Sequence, residues 1–398
     1  MDSTFTNRFK SHKMKNLHNI VIFLVLVAFL NGCNQAAEKK QALKTDESGF
    51  VILSEEQMEN LVKRSYQYVA LYNVNNKTAF KQGGYNTLQA DTELKDHNMK
   101  EIARPNNDSF YSTALLDLRG EPLILELPAF SSDYVSLMVT AYDHYVDVPK
   151  ATRKGDFRDP ETILFYSDRT QGYAGEEVDG VDFIYKTTGD FVSAVLRIMP
   201  HASDPERFKT VVEEIGKIKI QTLSEHQGGE ALPVEDITFP DVGQTDLDVF
   251  ENNLLEVMQF VFNHLSFDPD YDLDQLLLEA YLPLGIKPGK AYHPDQVKID
   301  GKKMRAVAEK IQQESLGKLT DPALTKVMAP KMFKTKGLTD LETLVTVSII
   351  GPIGLPMEEA MYPNVTTLSG EPMNAFNDYV IKMSKEELPP DQAFWSLT

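Results

Sequence analysis

Hydrophobic positions recur along this chain with two different periods, and each period predicts a different kind of element. After Ser54 they recur at helical spacing, at Met58, Leu61, Val62, Tyr66, Val69 and Tyr72. The four residues Ser54-Glu55-Glu56-Gln57 form a capping box, and its two acidic side chains lie where the helix dipole favours negative charge. The pattern predicts an amphipathic helix that begins just after Ser54.

From about residue 85 to residue 200 the apolar runs become short and are separated by Gly, Pro and Asp. They predict strands at Tyr111–Leu118, Leu123–Leu127, Tyr134–Tyr142, Ile163–Tyr166, Val181–Tyr185 and Phe191–Ile198. Strands about ten residues apart, without helices between them, favour an antiparallel sandwich or a barrel-like domain.

Helical spacing returns between residues 205 and 317. It predicts helices after Pro205, over Thr245–Leu265 and over Lys298–Leu316, with Gly317 as the residue that follows the last helix. Strand-like runs then follow at Leu344–Ile350, Asp378–Met383 and Phe394–Leu397. The order of helix, β block, helical block and β block predicts an α+β fold rather than an alternating α/β fold.

This order suggests a division of the chain into five parts. We expect a signal peptide over residues 1–32, a flexible tether over 33–50 and a β-rich domain with its N-terminal helix over 51–204. A helical block over 205–320 and the start of an incomplete second β domain over 321–398 complete the division.

The first 33 residues have the pattern of a targeting segment. A basic stretch precedes an apolar run from Ile20 to Leu30, which is too short to span a bilayer but suits a secretory signal. The run ends at Leu30-Asn31-Gly32-Cys33, which resembles the bacterial lipobox. We expect lipidation at Cys33, for example with palmitate, and a lipid-anchored protein at the outer membrane facing the periplasm. An uncleaved anchor with an incidental cysteine is the alternative.

Composition narrows the classes of function. The 398 residues carry a formal net charge of −19, from 40 basic and 59 acidic side chains, so a nucleic-acid partner is not expected. The single cysteine excludes an internal disulfide framework and a multi-cysteine metal site. No HExxH, Walker A, GxSxG or strand-associated GxGxxG motif occurs. We therefore expect neither a metal nor a cofactor.

The densest polar cluster precedes a predicted strand and reads Arg104-Pro105-Asn106-Asn107-Asp108-Ser109-Phe110-Tyr111-Ser112. One interpretation is a rigid loop whose side chains satisfy backbone groups, because Asn and Asp favour tight turns. The other is a loop at a pocket mouth. There Arg104 would hold a carboxylate, Asn106 and Asn107 would line the site, Asp108 would act as a base and Tyr111 would donate a proton.

A second polar cluster, Tyr142–Asp147, follows a predicted strand. Strand alternation would place Tyr142 and His144 on one face, with Tyr142 at the ligand-binding mouth. His144 is the candidate acid or base, because histidine titrates near neutral pH, although a lone histidine is also common as a structural residue. His97 precedes the first cluster and could join it.

These clusters carry a resemblance to a known family. Arg104–Ser112, with Leu116-Asp117-Leu118 after it, looks like the RPNNDTLYS signature of the bacterial domain of unknown function 1254. Leu284–Gly289 is similar to a later LGI-x-x-G segment of that family. Leu388–Thr398 resembles the opening of its usual partner, domain of unknown function 1214. The resemblance extends over about residues 54–398.

The resemblance implies an envelope or secreted protein with two β-rich domains, the second jelly-roll-like. It implies no established reaction, so it assigns no catalytic role. We expect a protein that binds a small polar or carboxylated ligand at the β-domain mouth. The alternatives are a hydrolase or lyase that uses Asp108, Tyr111 and His144, and a structural envelope protein without a ligand.

The C-terminal residues suggest a truncated family member. Thr398 ends the sequence within AFWSLT, where the resemblance leads us to expect a whole β domain to follow. The apolar side chains Phe394, Trp395 and Leu397 would then lack their usual neighbours. The alternative is a short variant in which Trp395 packs onto the helical block.

Overall fold

The computed structural model describes residues 43–96, 98, 106–148, 150–319, 321–362, 367–371, 373–374, 376–389 and 391–396. The predicted signal peptide, most of the predicted tether and the predicted lipidation site Cys33 lie outside the described residues, as do His97 and Arg104. Residues Lys44–Thr398 cluster as one unit, and the description below concerns that unit.

The first helix, α1, spans Glu55–Gln82 and begins where the capping box predicts. The Ser54 hydroxyl accepts a hydrogen bond from the Gln57 amide at 3.2 Å, and Gln57 Oε1 accepts one from the Ser54 amide at 2.9 Å. Gly83 ends the helix with φ 93°, a left-handed conformation that glycine adopts without strain. The helix is buried over most of Leu61–Ala79, so it forms the centre of the helical layer.

The described residues of the β-rich region contain nine strands. They are β1 Thr87–Ala90, β2 Phe110–Asp117, β3 Leu123–Leu127, β4 Val135–Thr140, β5 Lys150–Ala151, β6 Glu161–Tyr166, β7 Phe183–Lys186, β8 Phe191–Ile198 and β9 Lys219–Thr222. The bounds of β3 and β8 agree with the sequence prediction. The short strands β1, β5 and β9 were not predicted.

The strands form two sheets. One has five strands in the order β1-β2-β8-β4-β5, all antiparallel, and the other has four in the order β7-β6-β3-β9. The β6–β7 pair is parallel, whereas β3 pairs antiparallel with β6 and β9. Neither sheet closes into a barrel. The α+β prediction, with antiparallel sheets followed by a helical region, is confirmed.

The helices after β8 are α2 Pro205–Ile215, α3 Leu223–His226, α4 Asp246–Asn252, α5 Leu254–His264, α6 Asp272–Tyr281, α7 Gly301–Leu319, α8 Pro322–Met328 and α9 Leu341–Ile350. Helices α5, α6, α7 and α9 all contact α1. Buried Tyr66 on α1 packs against Phe250 on α4, with 5.2 Å between the ring centroids. The helical layer is therefore organised around α1.

Three sequence predictions about the helical and C-terminal regions were wrong. Leu344–Ile350 is not a strand but part of α9, which Asp340 caps by accepting a hydrogen bond from the Thr343 amide at 2.9 Å. The predicted helix over 245–265 is two helices, because the backbone leaves the helical conformation at Asn253. Gly317 lies inside α7 instead of after it.

The last described residues also differ from the prediction. Within the described parts of 378–383 and 394–396 no strand occurs. Phe394 packs against Tyr134 with 5.7 Å between the ring centroids, and Trp395 is exposed. The division of the chain into domains stays a prediction.

The segment after β4 does not continue the strand. Strand β4 ends at Thr140, and His144 has φ 68°, which breaks the alternation that the sequence analysis assumed. Tyr142, Asp143, His144, Tyr145 and Val146 are all buried. This segment is an interior turn, so its side chains cannot be assigned to two faces.

Candidate functional site

The loop before β2 is held by its own polar groups. Asn106 Oδ1 accepts a hydrogen bond from the Asp108 amide at 2.7 Å, an Asx-type turn. The Asn106 amide donates to the hydroxyl of Tyr111 at 3.0 Å. Asn107 and Asp108 are exposed. The structure therefore brings Asn106 and Tyr111 together and leaves the Asp108 carboxylate at the surface.

Strand pairing places an arginine beside this loop. In the five-stranded sheet Tyr111 of β2 is opposite Arg197 of β8, which is opposite Ser136 of β4. The Arg197 guanidinium carbon lies 5.4 Å from the centroid of the Tyr111 ring and 6.0 Å from that of Tyr362. Arg197 Nη1 donates to the Tyr362 hydroxyl at 3.4 Å. The arginine is therefore flanked by two tyrosines at the same end of the sheet as the loop.

The charge of Arg197 has no carboxylate counterpart among the described residues. No ion pair joins it to an aspartate or glutamate there, whereas Arg169 pairs with Asp190 and Arg207 with Asp133. A guanidinium presents donors in a planar fork that matches the two oxygens of a carboxylate. This arrangement can bind a small anion, and we call Arg197, Tyr111, Tyr362 and Asn106 the Arg197 site.

Tyr142, predicted as a ligand-binding residue, lies at the other end of the same sheet. Its hydroxyl is 2.8 Å from that of Tyr85 and accepts a hydrogen bond from Asn76 at 3.0 Å. Its ring is 6.0 Å from that of Phe191, at the start of β8. Six residues of extended strand, about 20 Å, separate Phe191 from Arg197. The structure does not bring Tyr142 and Tyr111 together.

His144, the predicted acid or base, is 3% exposed. Its ring stacks on Phe333 at 5.8 Å, and its Nε2 is buried without a hydrogen-bond partner. Burial lowers the pKa of His144 to about 4, so the ring is neutral at pH 7. Among the described residues no hydrogen bond joins it to Asp108 or Tyr111. These three candidates do not form a connected catalytic group.

The neighbours of His144 form a buried acidic group. Burial raises the pKa of Asp143 to about 6, and burial together with the Asp143 charge raises the pKa of Asp147. Burial also raises the pKa of Asp274, although Lys336 forms an ion pair with it. Asp143 Oδ2 and Asp274 Oδ1 have no hydrogen-bond partner. The segment identified from sequence therefore contains two carboxyl groups, Asp143 and Asp147, whose pKa values burial raises.

Sequence reasoning missed a second polar centre at the start of β8. Asp190 is 1% exposed and accepts hydrogen bonds from Ser167 Oγ at 2.7 Å, Arg169 Nε at 2.8 Å and His264 Nδ1 at 2.9 Å. These donors outweigh the effect of burial and hold the pKa of Asp190 below its ordinary value. The histidine stands 74 residues from the aspartate, in an apolar helical stretch, so its sequence neighbours gave no indication of the pair.

Within the described part of the chain, no three His, Cys, Asp or Glu side chains are grouped so as to hold a metal ion. No helix there combines the length and apolar composition needed to cross a bilayer.

The β-rich region is similar to a known family of proteins, and the fold is similar to that of a solved structure. Residues 85–222 match the model of a family described as "Protein of unknown function (DUF1254)". No curated protein matches the chain. The fold is similar to that of the VPA0106 protein from Vibrio parahaemolyticus, with a TM-score of 0.58 and 23% identity, over 76% of this chain and 68% of that one.

A putative uncharacterized protein from Burkholderia cenocepacia is also matched, with a TM-score of 0.22 and 11% identity, over 41% of this chain and 56% of that one. The family match spans β1 to β9 and contains Asn106, Tyr111, Asp190 and Arg197. Over residues 85–222, the family match supports the resemblance to the DUF1254 family that the loop before β2 first indicated.

Proposed function

We propose that this chain is a lipid-anchored cell-envelope protein that binds a small carboxylated ligand at the Arg197 site. The observation that carries the proposal is the Arg197 guanidinium, which lies between the rings of Tyr111 and Tyr362 without a carboxylate partner among the described residues. Arg104, the residue that the sequence analysis assigned to the carboxylate, lies outside the described residues, two positions before Asn106.

The chemistry of the site favours a carboxylate over a neutral ligand. The Tyr362 hydroxyl is a neutral acceptor at 3.4 Å, which is long for a hydrogen bond. A carboxylate oxygen would accept from the same nitrogen at about 2.8 Å and would add charge attraction. Because the protein has a net charge of −19, an anion is repelled by most of its surface. A local cation is therefore required for an anionic ligand to bind.

The binding test is a calorimetric titration with acetate, succinate and benzoate, with ethylammonium as a ligand of opposite charge. Arg197→Met should abolish measurable carboxylate binding, because it removes every donor of the fork. Arg197→Lys should weaken binding roughly tenfold or more, since it keeps the charge and loses the paired hydrogen bonds.

The matched control is Arg207→Lys. Arg207 is a partly exposed arginine that already pairs with Asp133 at 3.0 Å, so its change should leave carboxylate affinity within about twofold. Carboxylate binding that survives Arg197→Met would overturn the proposal, as would a folded wild-type protein that binds none of the three acids.

The anchor is tested separately. In a bacterial host supplied with labelled palmitate, the wild-type chain should carry the label and sediment with membranes. Cys33→Ser should carry no label, because serine lacks the thiol to which an acyl chain is attached. Equal labelling of the two proteins would refute the lipid anchor without affecting the ligand proposal.

No observation on the described residues favours the hydrolase or lyase that uses Asp108, Tyr111 and His144. The His144 ring is buried and neutral, and the Asp108 carboxylate is exposed. The Tyr111 hydroxyl accepts its hydrogen bond from the loop backbone. Ligand binding at Arg197 is the function that the geometry supports best.

A further inference from the structure

Asp190 and His264 have the geometry of an oriented acid–base pair. The carboxylate lies 2.9 Å from Nδ1 of the imidazole and is itself fixed by Ser167 and Arg169. A buried carboxylate that accepts from Nδ1 favours the tautomer with its proton on that nitrogen. It leaves the lone pair on Nε2, the atom that can accept a proton from a substrate.

The environment of Nε2 distinguishes His264 from three other histidines. His144 Nε2 is buried, His201 Nε2 accepts from the Asp133 amide, and both ring nitrogens of His226 have polar neighbours. No hydrogen bond joins His264 Nε2 to a described residue, and 17% of the side chain is exposed. His264 thus combines an orienting carboxylate with a ring nitrogen that has no protein partner in the described part of the chain.

The surroundings of His264 suit a small substrate with a carbonyl or anionic oxygen. Its ring packs on Phe260 at 4.5 Å and on Phe191 at 5.1 Å, which gives apolar walls. The Arg119 guanidinium carbon lies 5.2 Å from the centroid of the same Phe191 ring. Arg119 pairs with Asp117 through Nε and Nη2, and no hydrogen bond ties its Nη1 to a described residue. A donor for a negative oxygen therefore lies on the same aromatic ring as the histidine.

We infer that His264 is the general base of a second site, which hydrolyses small carboxylic esters, with Asp190 as its positioning residue. This inference does not depend on ligand binding at Arg197. The charged group in contact with the imidazole is Asp190, which Arg169 also binds, and Arg119 with its partner Asp117 lies against the neighbouring Phe191 ring.

The reaction consumes one water molecule. His264 Nε2 accepts a proton from water as the water oxygen bonds to the ester carbonyl carbon, and negative charge develops on the carbonyl oxygen near Arg119. The bond between the carbonyl carbon and the alkoxy oxygen then breaks, and the imidazolium returns its proton to that oxygen. Ester and water give acid and alcohol, with no oxidant or reductant.

The test measures hydrolysis of 4-nitrophenyl acetate and of the half-ester 4-nitrophenyl succinate by the full-length protein. His264→Asn places an amide nitrogen where Nδ1 was, so it keeps a donor to Asp190 and removes Nε2. It should lower kcat/KM by about a hundredfold or more, the usual contribution of a general base.

His226→Asn is the matched control, because the His226 side chain has the same exposure, 17%, and lies outside this site. Its rate should equal that of the wild type. A nitrogen NMR spectrum of the wild-type protein gives a readout that needs no variant: the His264 ring should carry its proton on Nδ1. Unchanged hydrolysis in His264→Asn, a wild-type rate no greater than that of free imidazole, or a proton on Nε2 would each overturn the inference.

Discussion

The two ends of strand β8 carry opposite charges, and only the negative one has a partner of opposite charge among the described residues. Asp190 directly precedes the strand and is surrounded by donors from Ser167, Arg169 and His264. Arg197, near the other end, has the rings of Tyr111 and Tyr362 beside it and no carboxylate among the described residues. A buried charge with a full set of partners holds elements together, because removing it leaves those partners unpaired. A charge without a counter-ion contributes little to folding and is available to a ligand.

The two ends of β8 also differ in the structural elements that meet there. The Asp190 carboxylate links Arg169, in the segment after β6, to His264, at the end of α5. The Asp190 amide also donates a hydrogen bond to the His264 carbonyl at 3.0 Å. Arg197 contacts Tyr111 across the sheet and Tyr362 from the chain after α9. The first centre therefore fixes the helical layer to the sheet, whereas the second is bordered by a loop and by a partly exposed tyrosine.

The largest loss of stability is expected when Asp190, just before β8, is replaced. Asp190→Ala leaves Arg169 and His264 without their shared acceptor and should lower the free energy of unfolding by about 3–5 kcal/mol. Urea denaturation followed by circular dichroism measures it. The matched control is Asp168→Asn, at an exposed carboxylate that pairs with Lys186 at 2.5 Å. It should cost no more than about 1 kcal/mol. Equal losses in the two variants would contradict the distinction between the ends.

Asp143 and His144, in the buried turn after β4, give a prediction about pH. The pKa of Asp143 is raised to about 6, so the folded protein holds a proton that the unfolded chain releases between pH 4 and 6. Its contribution to stability therefore falls as pH rises through that window. The pKa of His144 is lowered to about 4, so the unfolded chain binds the extra proton and this contribution rises between pH 4 and 6.5. Each change amounts to about 3 kcal/mol.

Two variants separate these opposing contributions. Relative to the wild type, Asp143→Asn should gain stability as pH rises from about 4 to 7, whereas His144→Asn should lose it over the same range. Asparagine suits both positions, since it matches aspartate in shape and tolerates the left-handed backbone at residue 144, where φ is 68°. Urea midpoints at several pH values measure both differences. Parallel curves would show that burial does not shift these two groups.

Elements that depend on local interactions were predicted from the sequence, whereas elements that depend on contacts between distant residues were not. The α1 helix was predicted because its capping box and its period are local, and β3 and β8 because turn residues bound them. Helix α9 was predicted as a strand because residues 343–348 are buried on every side, so the run shows no helical period. The short strands β1, β5 and β9 depend on pairing with distant partners, which a local pattern does not contain.

The candidate site was predictable to the same extent. The loop at Asn106–Tyr111 was found because one proline, two asparagines and one aspartate in succession, residues 105–108, mark a constrained turn. Arg197 was not predicted as a site residue, because it lies inside an apolar strand. Its role depends on the strand register that pairs it with Tyr111, 86 residues earlier. His264 depends in the same way on its contact with Asp190. His144 was chosen for its residue type, and its burial was invisible in the sequence.

The smallest change in stability is expected when Arg197 is replaced, and this gives the clearest contrast with Asp190. Arg197→Met removes a charge that has no carboxylate to leave unpaired, and methionine replaces the arginine stem with a flexible apolar chain of similar length. The variant loses cation–π contacts with Tyr111 and Tyr362, each worth about 0.5–1 kcal/mol, but it no longer desolvates a guanidinium. The two effects oppose each other, so the free energy of unfolding should stay within about 1 kcal/mol of the wild type. A loss comparable to that of Asp190→Ala would mean that Arg197 is a structural residue, and the ligand proposal would then lose its main support. If stability is retained, a loss of carboxylate binding in the same variant is a property of the site and not of the fold.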